Sequence, residues 1–287
     1  MTTKEIKQLI AFQVNEATEN IIYRRLAKLQ KKEHNRHVLE GLSREELRHY
    51  HTLQKFTGKT PGPNRWRIFW YVTIARLFGL IFGIKLMEKG EIRTRLTYRQ
   101  WEETEELQVM AKEEEEHENK LISLIDEEGL NYMSAVVLGL NDALVEFTGA
   151  LAGYTFALQH PKLVALTGGI TGIAAALSMA ASEYLSTRAD NDGKNAVKAS
   201  VYTGIAYLIT VIALILPFVL MQNVYWALGI CLLSALSIIA IFNYYYSIVR
   251  SERFGHRFAE MAIISLGIAA VSFGIGYALR IFTGIEL

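Results

Sequence analysis

The sequence predicts an all-α protein in two parts: a four-helix bundle over residues 1–126, then a five-span helical membrane domain over residues 127–287. Three observations predict it. Residues 1 to about 128 are rich in Glu, Lys and Arg with period-3.6 amphipathic patterning, whereas long apolar runs dominate from about Asn131 onward. Those runs are five, each long enough to cross a hydrocarbon core of about 30 Å. In the charged half, the apolar helix stripes are interrupted by Glu and His at matched positions.

The 287 residues carry a formal net charge of +1. That value sums over two unlike halves and gives no reason to expect nucleic acid as a partner. The one cysteine, Cys231, excludes a disulfide framework or a Cys-based zinc site; inside an apolar run, it reads as membrane packing. The opening MTTKEIKQLIAFQVNEATEN scatters its charges and has no short apolar core followed by small residues, so it is not a secretory signal. The charged half is therefore expected in the cytoplasm.

The spans are expected at 132–158, 164–187, 202–221, 225–248 and 261–279. Pro161 sits in a very short loop between the first two, which predicts a helical hairpin. With the N-terminus inside, the inner loops hold Arg188, Lys194 and Lys198, then Arg250, Arg253 and Arg257; the outer loops hold only Lys162, and Arg280 lies in the outer tail. Positive charge collects on the cytoplasmic side. The expectation is a multi-pass membrane protein (of the cell membrane in a prokaryote) with its bundle in the cytoplasm and its C-terminus outside. Asp190 and Asp192 read as a solvated turn.

Residues 66–87, WRIFWYVTIARLFGLIFGIKLM, are nearly long enough to span. Arg67 and Arg76 interrupt them, and a charge at mid-span costs about 2.5–3.5 kcal/mol. Spanning here would also split the bundle between compartments. The segment is expected to be a loop and the start of a bundle helix, its surplus apolar surface lying against the membrane or a partner.

The bundle helices are expected at 3–32, 37–57, 68–100 and 101–126. The stripe of the second runs Leu39, Leu42, Glu46, His49, Leu53, Phe56; that of the fourth runs Leu107, Met110, Glu114, His117, Leu121, Leu124. Both carry Glu-x-x-His at the same point. The first helix offers Phe12, Glu16, Glu19, Tyr23, Leu26, and the third Leu80, Ile84, Met87, Glu91, Thr94, Tyr98, with Glu88 beside it. Ionised carboxylates on a core face are costly unless paired or bound to a metal. Residues i and i+3 share one helix face, so each Glu-x-x-His can reach a common metal pair. Two such helices and two Glu-bearing helices form the ligand set of di-iron and di-manganese carboxylate bundles. One motif alone, such as KEEEEHE at 112–118, reads equally as a solvated acidic face; two in matching stripes favour the metal.

These residues resemble a family. EATENIIYRRLA at 16–27 is similar to the first helix of rubrerythrin and ferritin-like proteins, where a liganding Glu precedes a Tyr by seven residues. GEIRTRLTY at 90–98 repeats that spacing, and ELRH at 46–49 and EEEH at 114–117 match the family's paired motifs. The resemblance implies a dinuclear iron cofactor, Fe²⁺/Fe³⁺, with manganese as the alternative. It implies as ligands Glu16, Glu46, His49, Glu91, Glu114 and His117, with Glu19 and Glu88 as alternates. The Cys-x-x-Cys pairs of a rubredoxin module are absent from the sequence.

Acidic residues within spans are functional candidates by default. The first span holds Asp142 and Glu146 one turn apart; the second holds Glu183, with Met179 one turn above it. Counting from the inner ends, Asp142 and Met179 each lie about 13 Å deep at 1.5 Å per residue. Glu183 lies nearer the cytoplasm and Glu146 deeper, which makes a ladder of ligands along one route. Gly149 with Gly153 and Gly168 with Gly172 have the G-x-x-x-G spacing that lets membrane helices pack closely.

VLGLNDALVEFTGALAG at 137–153 and ALSMAASEYLST at 176–187 resemble the vacuolar iron transporter family. That resemblance implies five spans, a metal path lined by an acid of the first span and a methionine of the second, proton antiport and a homodimer. It is specific in the first two spans. Plant-type members carry a long metal-binding segment between spans two and three, which RADNDGKNAVKAS at 188–200 is too short to supply; the N-terminal bundle is expected to replace it, as in the membrane-bound ferritin type of this family. The combined expectation is a transporter of divalent metal, foremost Fe²⁺, out of the cytoplasm along Glu183, Met179, Asp142 and Glu146. The bundle would collect, sense or oxidise iron. The alternatives are a Mn²⁺ transporter, since hard carboxylates accept both metals, and a membrane-anchored ferroxidase or peroxide-scavenging di-iron oxidoreductase.

Overall fold

The computed structural model describes residues 3–89, 106–110, 112–113, 132–190 and 195–283. Among them all regular structure is helical, with no strand. The chain divides into two compact units, Met1–Glu127 and Glu128–Leu287.

The first unit contains α1 (Thr3–Ala27), α2 (Glu33–Thr57), α3 (Arg65–Phe78) and α4 (Leu80–Lys89). The first helix ends five residues earlier than its periodicity predicts, in a turn after Ala27, and α2 begins at Glu33 rather than at 37. Asn35 is buried, so the polar run around it belongs to the packed first turns of α2 and not to a loop. Gly58, left-handed at φ 62°, closes α2 by donating its N–H to the Gln54 carbonyl at 2.9 Å. Asn64 opens α3, its side-chain oxygen accepting from the Arg67 N–H at 3.1 Å.

Residues 66–87 depart from expectation. They form no loop; α3 and α4 follow one another directly, separated by Gly79 at φ 97°, which also divides the helix expected over 68–100. A Cβ there would be strained. With the break, α3 is 14 residues long and does not reach spanning length.

The described part of the apolar stripes is buried, except Phe56, which is half-buried; Glu91, Thr94, Tyr98, Glu114, His117, Leu121 and Leu124 lie outside the described residues. Phe12, Glu16, Glu19, Tyr23 and Leu26 of α1 are inside, as are Leu39, Leu42, Glu46, His49 and Leu53 of α2 and Leu80, Ile84 and Met87 of α4. Leu107 and Met110, in a helical stretch over 106–110, pack with Leu9, Phe12 and Leu53. Polar links fix α1 against its neighbours. Asn20 donates to the Ser43 carbonyl at 2.5 Å, and the Arg67 guanidinium donates to Asn15 Oδ1 at 2.6 Å.

The second unit holds five helices long and apolar enough to cross a membrane: α5 (Met133–Leu158), α6 (Pro161–Asp190), α7 (Ala196–Leu220), α8 (Val224–Arg250) and α9 (Phe254–Thr283). These are the five expected spans, most of them extended by a few residues. Gln159, left-handed at φ 50°, ends α5, and Pro161 occupies the first position of α6, so the two form the predicted hairpin. Asn195 and Asn223 cap α7 and α8 through their side-chain oxygens. Cys231 is fully buried in the apolar core.

α6 packs chiefly along α7, and α5 along α9. The glycine pairs allow both. A Cβ on Gly172 would lie 2.5 Å from Val211 of α7, and one on Gly149 3.0 Å from Ile268 of α9. A Cβ on Gly276 of α9 would overlap the carbonyl oxygen of Gly153, where backbone meets backbone and nothing can rotate away. Gly276→Ala is therefore expected to destabilise the membrane unit by about 1–3 kcal/mol, the usual cost of overpacking. Thermal unfolding of the full chain in detergent would show it as a lowered midpoint; an unchanged midpoint would mean that α5 and α9 separate freely.

Candidate metal centres

The first site is built on α1 and α2. Glu16, Glu46 and His49 each turn a ligand atom inward, all three atoms lie within 4.8 Å of one another, and all three residues are buried. His49 Nδ1 lies 3.8 Å from Glu16 Oε2 and 3.7 Å from Glu46 Oε2. Those separations are too long for hydrogen bonds. They suit donors converging on one cation, since two ligands each about 2.1 Å from a metal lie about 3 to 4 Å apart. The residues present thus fit three ligands of a metal centre. The i, i+3 spacing of Glu46 and His49 puts both on one face, as read from the sequence.

The other ring nitrogen of His49 meets a residue the sequence reading passed over. Nε2 lies 3.1 Å from Oε2 of Glu113, and the same oxygen accepts from the Arg48 guanidinium at 2.9 Å. A metal-ligating imidazole commonly has its second nitrogen oriented by a carboxylate, which fixes the tautomer. Glu113 stands where it could do so. The acidic run at 112–118 contained the signal, but its phase could not be fixed: neighbouring helix positions differ by about 100°. An open groove of about 400 Å³ lined by Arg48, His49, Thr52, Lys55, Glu106, Val109, Met110 and Glu113 leads to this side of the imidazole. Of the other expected ligands, Glu91, Glu114 and His117 lie outside the described residues, as does the Glu88 side chain. Glu19 is buried on the α1 face that carries Glu16.

The second site is on α5. Asp142 ends one α-helical segment and Glu146 lies in the π-helical turn Ala143–Phe147 that follows. The two carboxyl-bearing residues stand four positions apart, across the start of the π turn. The π turn is wider than an α turn, and such insertions concentrate at functional sites. It is held from outside: the Ser265 hydroxyl of α9 donates to the Leu144 carbonyl at 2.6 Å, while the Thr148 N–H turns to Val145. Ser265→Ala is expected to cost about 1–3 kcal/mol by stranding a buried carbonyl, measurable as lowered thermal stability in detergent.

Tyr207 of α7 completes this region. It is fully buried in the core that holds Ala143, Leu144 and Phe147 of the π turn, and its hydroxyl has no hydrogen-bond partner among the described residues. The sequence reading overlooked it because a tyrosine in a span reads as packing. Of the remaining path residues, Glu183 accepts from the Thr187 hydroxyl one turn along α6 at 3.3 Å, and Met179 is half-buried against the apolar core. Asp142 and Glu183 are half-buried, while Glu146 is exposed on the surface of the single chain.

Residues 133–196 match the VIT family. The match takes in the first two spans, where the resemblance read from the sequence is specific, and contains Asp142, Glu146, Met179 and Glu183. No curated protein matches the chain. α8 and α9, which follow the matched residues, join α5 around a second polar feature, a cavity of about 310 Å³ lined by Asn141, Asn243, Arg257, Glu260 and Met261 together with apolar side chains. Asn141 and Asn243 are polar positions inside spans, the same signal that singled out Asp142.

Proposed function

We propose that this chain is a divalent-metal transporter that moves Fe²⁺ out of the cytoplasm. The carrying observation is the Asp142–Glu146 pair, set at a π turn within an apolar span of the VIT domain. Two carboxylates balance the charge of one divalent cation. When the cation arrives, a proton held on either carboxyl must leave; when the cation departs, a proton can return. That exchange supports proton antiport. Glu183 and Met179 of α6 form the cytoplasmic approach, and the buried Tyr207 hydroxyl supplies a neutral oxygen beside the pair.

Glu146 lies exposed on one copy of the chain. A bare carboxylate facing lipid at this depth costs about 2.5–3.5 kcal/mol on insertion scales. A homodimer with α5 at its interface would cover it, with the bundle on the cytoplasmic side and the C-terminus outside. Ferrous iron uptake into inside-out proteoliposomes, driven by an opposed proton gradient, tests the reading. Uptake no faster than in empty liposomes would reject it. Competition by Mn²⁺ in the same assay ranks the two metals.

The N-terminal unit, read as a ferritin-like bundle, would hold its metal through Glu16, Glu46 and His49, with Glu113 orienting the imidazole. Dinuclear iron bound there would supply redox chemistry towards oxygen or peroxide. The residues themselves bind the ion, neutralise it and keep it from water. The buried Glu16–Glu46–His49 cluster also favours a second reading, a membrane-anchored di-iron oxidoreductase. Iron oxidation without flux would support that reading over transport.

A further inference from the structure

Among the described residues, the outer face of α3 is exposed. Ile68, Val72 and Ala75 are buried, at i, i+4 and i+7. On the opposite side Trp66 is 71% exposed, Trp70 51% and Leu77 72%, flanked by Phe69 at 58% and Phe78 at 50%. Positions 66, 70, 73 and 77 fall within a narrow sector of one helix face at 3.6 residues per turn. Four of these, Trp66, Phe69, Trp70 and Leu77, gather on one side of the 14-residue helix, with Ile74 buried at its margin, a patch of the kind that marks an interaction site.

We infer that α3 is an interfacial membrane anchor: it lies in the plane of an anionic lipid surface with Trp66, Phe69, Trp70 and Leu77 inserted at the headgroup–acyl boundary. Charge, residue type and connectivity select lipid over a protein partner. The helix RWRIFWYVTIARLF holds three arginines and no acid. Arg65 and Arg76 are exposed and lie at the margin of the apolar face; on long stems they reach phosphate while the aromatic rings sit lower. Trp is enriched at membrane interfaces because its ring is apolar and its N–H polar. Each Arg near an anionic leaflet contributes about 1 kcal/mol. The same chain supplies the membrane: its first unit ends at Glu127 and its first span begins at Met133, so the local concentration of lipid surface is high. Gly79 confines this helix to 14 residues, too short to span and long enough to lie flat.

The test uses the full chain in vesicles of phosphatidylcholine and phosphatidylglycerol. The fluorescence of Trp66 and Trp70 is the difference between the native chain and the Trp66→Phe, Trp70→Phe variant, which preserves the apolar face. The expected signal is blue-shifted, quenched by brominated lipid and resistant to acrylamide. Insensitivity to brominated lipid overturns the inference in either form: accessible to acrylamide, the face is in water; inaccessible, a protein surface covers it. In an Arg65→Glu, Arg76→Glu variant at low salt the lipid quenching should fall below that of the native chain, since each arginine contributes about 1 kcal/mol at an anionic leaflet, and raising the salt in both samples should narrow the difference by screening. Equal quenching of variant and native chain at low salt would overturn the part played by anionic lipid.

Discussion

Asp142→Ala is expected to abolish Fe²⁺ flux in proteoliposomes while leaving the Glu16–Glu46–His49 centre loaded. Asp142 is half-buried on α5, with Glu146 four positions on across the start of the π turn. Its loss leaves one carboxylate to balance a dication inside an apolar domain. The uncompensated charge raises the barrier by several kcal/mol, because desolvation of an ion is repaid only by close counter-charges; each 1.4 kcal/mol is a factor of ten in rate. Asp142→Asn should fail equally, since the amide keeps the size but loses the charge. Asp142→Glu should retain part of the flux. That ordering separates a charge requirement from a packing one. Equal flux in the Ala variant and the native chain would remove Asp142 from the path, and loss of flux together with a lowered unfolding midpoint in all three variants would make it structural.

Much of this was legible in the sequence, because burial of a stripe depends on spacing alone. Leu39, Leu42, Glu46, His49 and Leu53 were placed on one face by steps of three and four, and all five are buried. The five spans follow from length and hydropathy, which depend on no tertiary contact. What escaped depends on contacts. The π turn at Ala143–Phe147 has no residue signature; its Leu144 carbonyl is satisfied by Ser265, 121 positions away. Glu113 could not be chosen from a run of glutamates whose phase was open. Gly79 read as one glycine among many in an apolar helix, and only its positive φ shows that it divides α3 from α4. Glu46 and His49 were visible as a motif, but their convergence with Glu16 needed the packing of α1 on α2.

Glu46→Leu is expected to separate the metal role of the bundle from its structural role by moving two quantities in different directions. In the metal-free chain Glu16, Glu46 and His49 bring ionisable groups into a buried space. Replacing such a group with an apolar side chain of similar volume is often neutral or stabilising, so the metal-free variant should unfold at or above the native midpoint. Metal reverses the comparison. A cation that binds only the folded chain stabilises it by RT ln(1 + [L]/Kd), about 2.7 kcal/mol at 100 times Kd. The native chain gains that stability from Fe²⁺ or Mn²⁺, whereas the variant, with one ligand gone, should lose affinity by more than the about 10–100-fold typical of outer-shell partners and gain little. Both chains carry Asp142→Ala so that the membrane site adds nothing. Glu113→Gln in the same background should weaken the metal response without abolishing it, because the His49 Nε2 neighbour it alters lies on the far side of the ring from the metal. A metal-induced rise in midpoint as large in Glu46→Leu as in the native chain would show that the three converging side chains do not hold the ion, and the buried carboxylates would then need another partner to account for their place in the core.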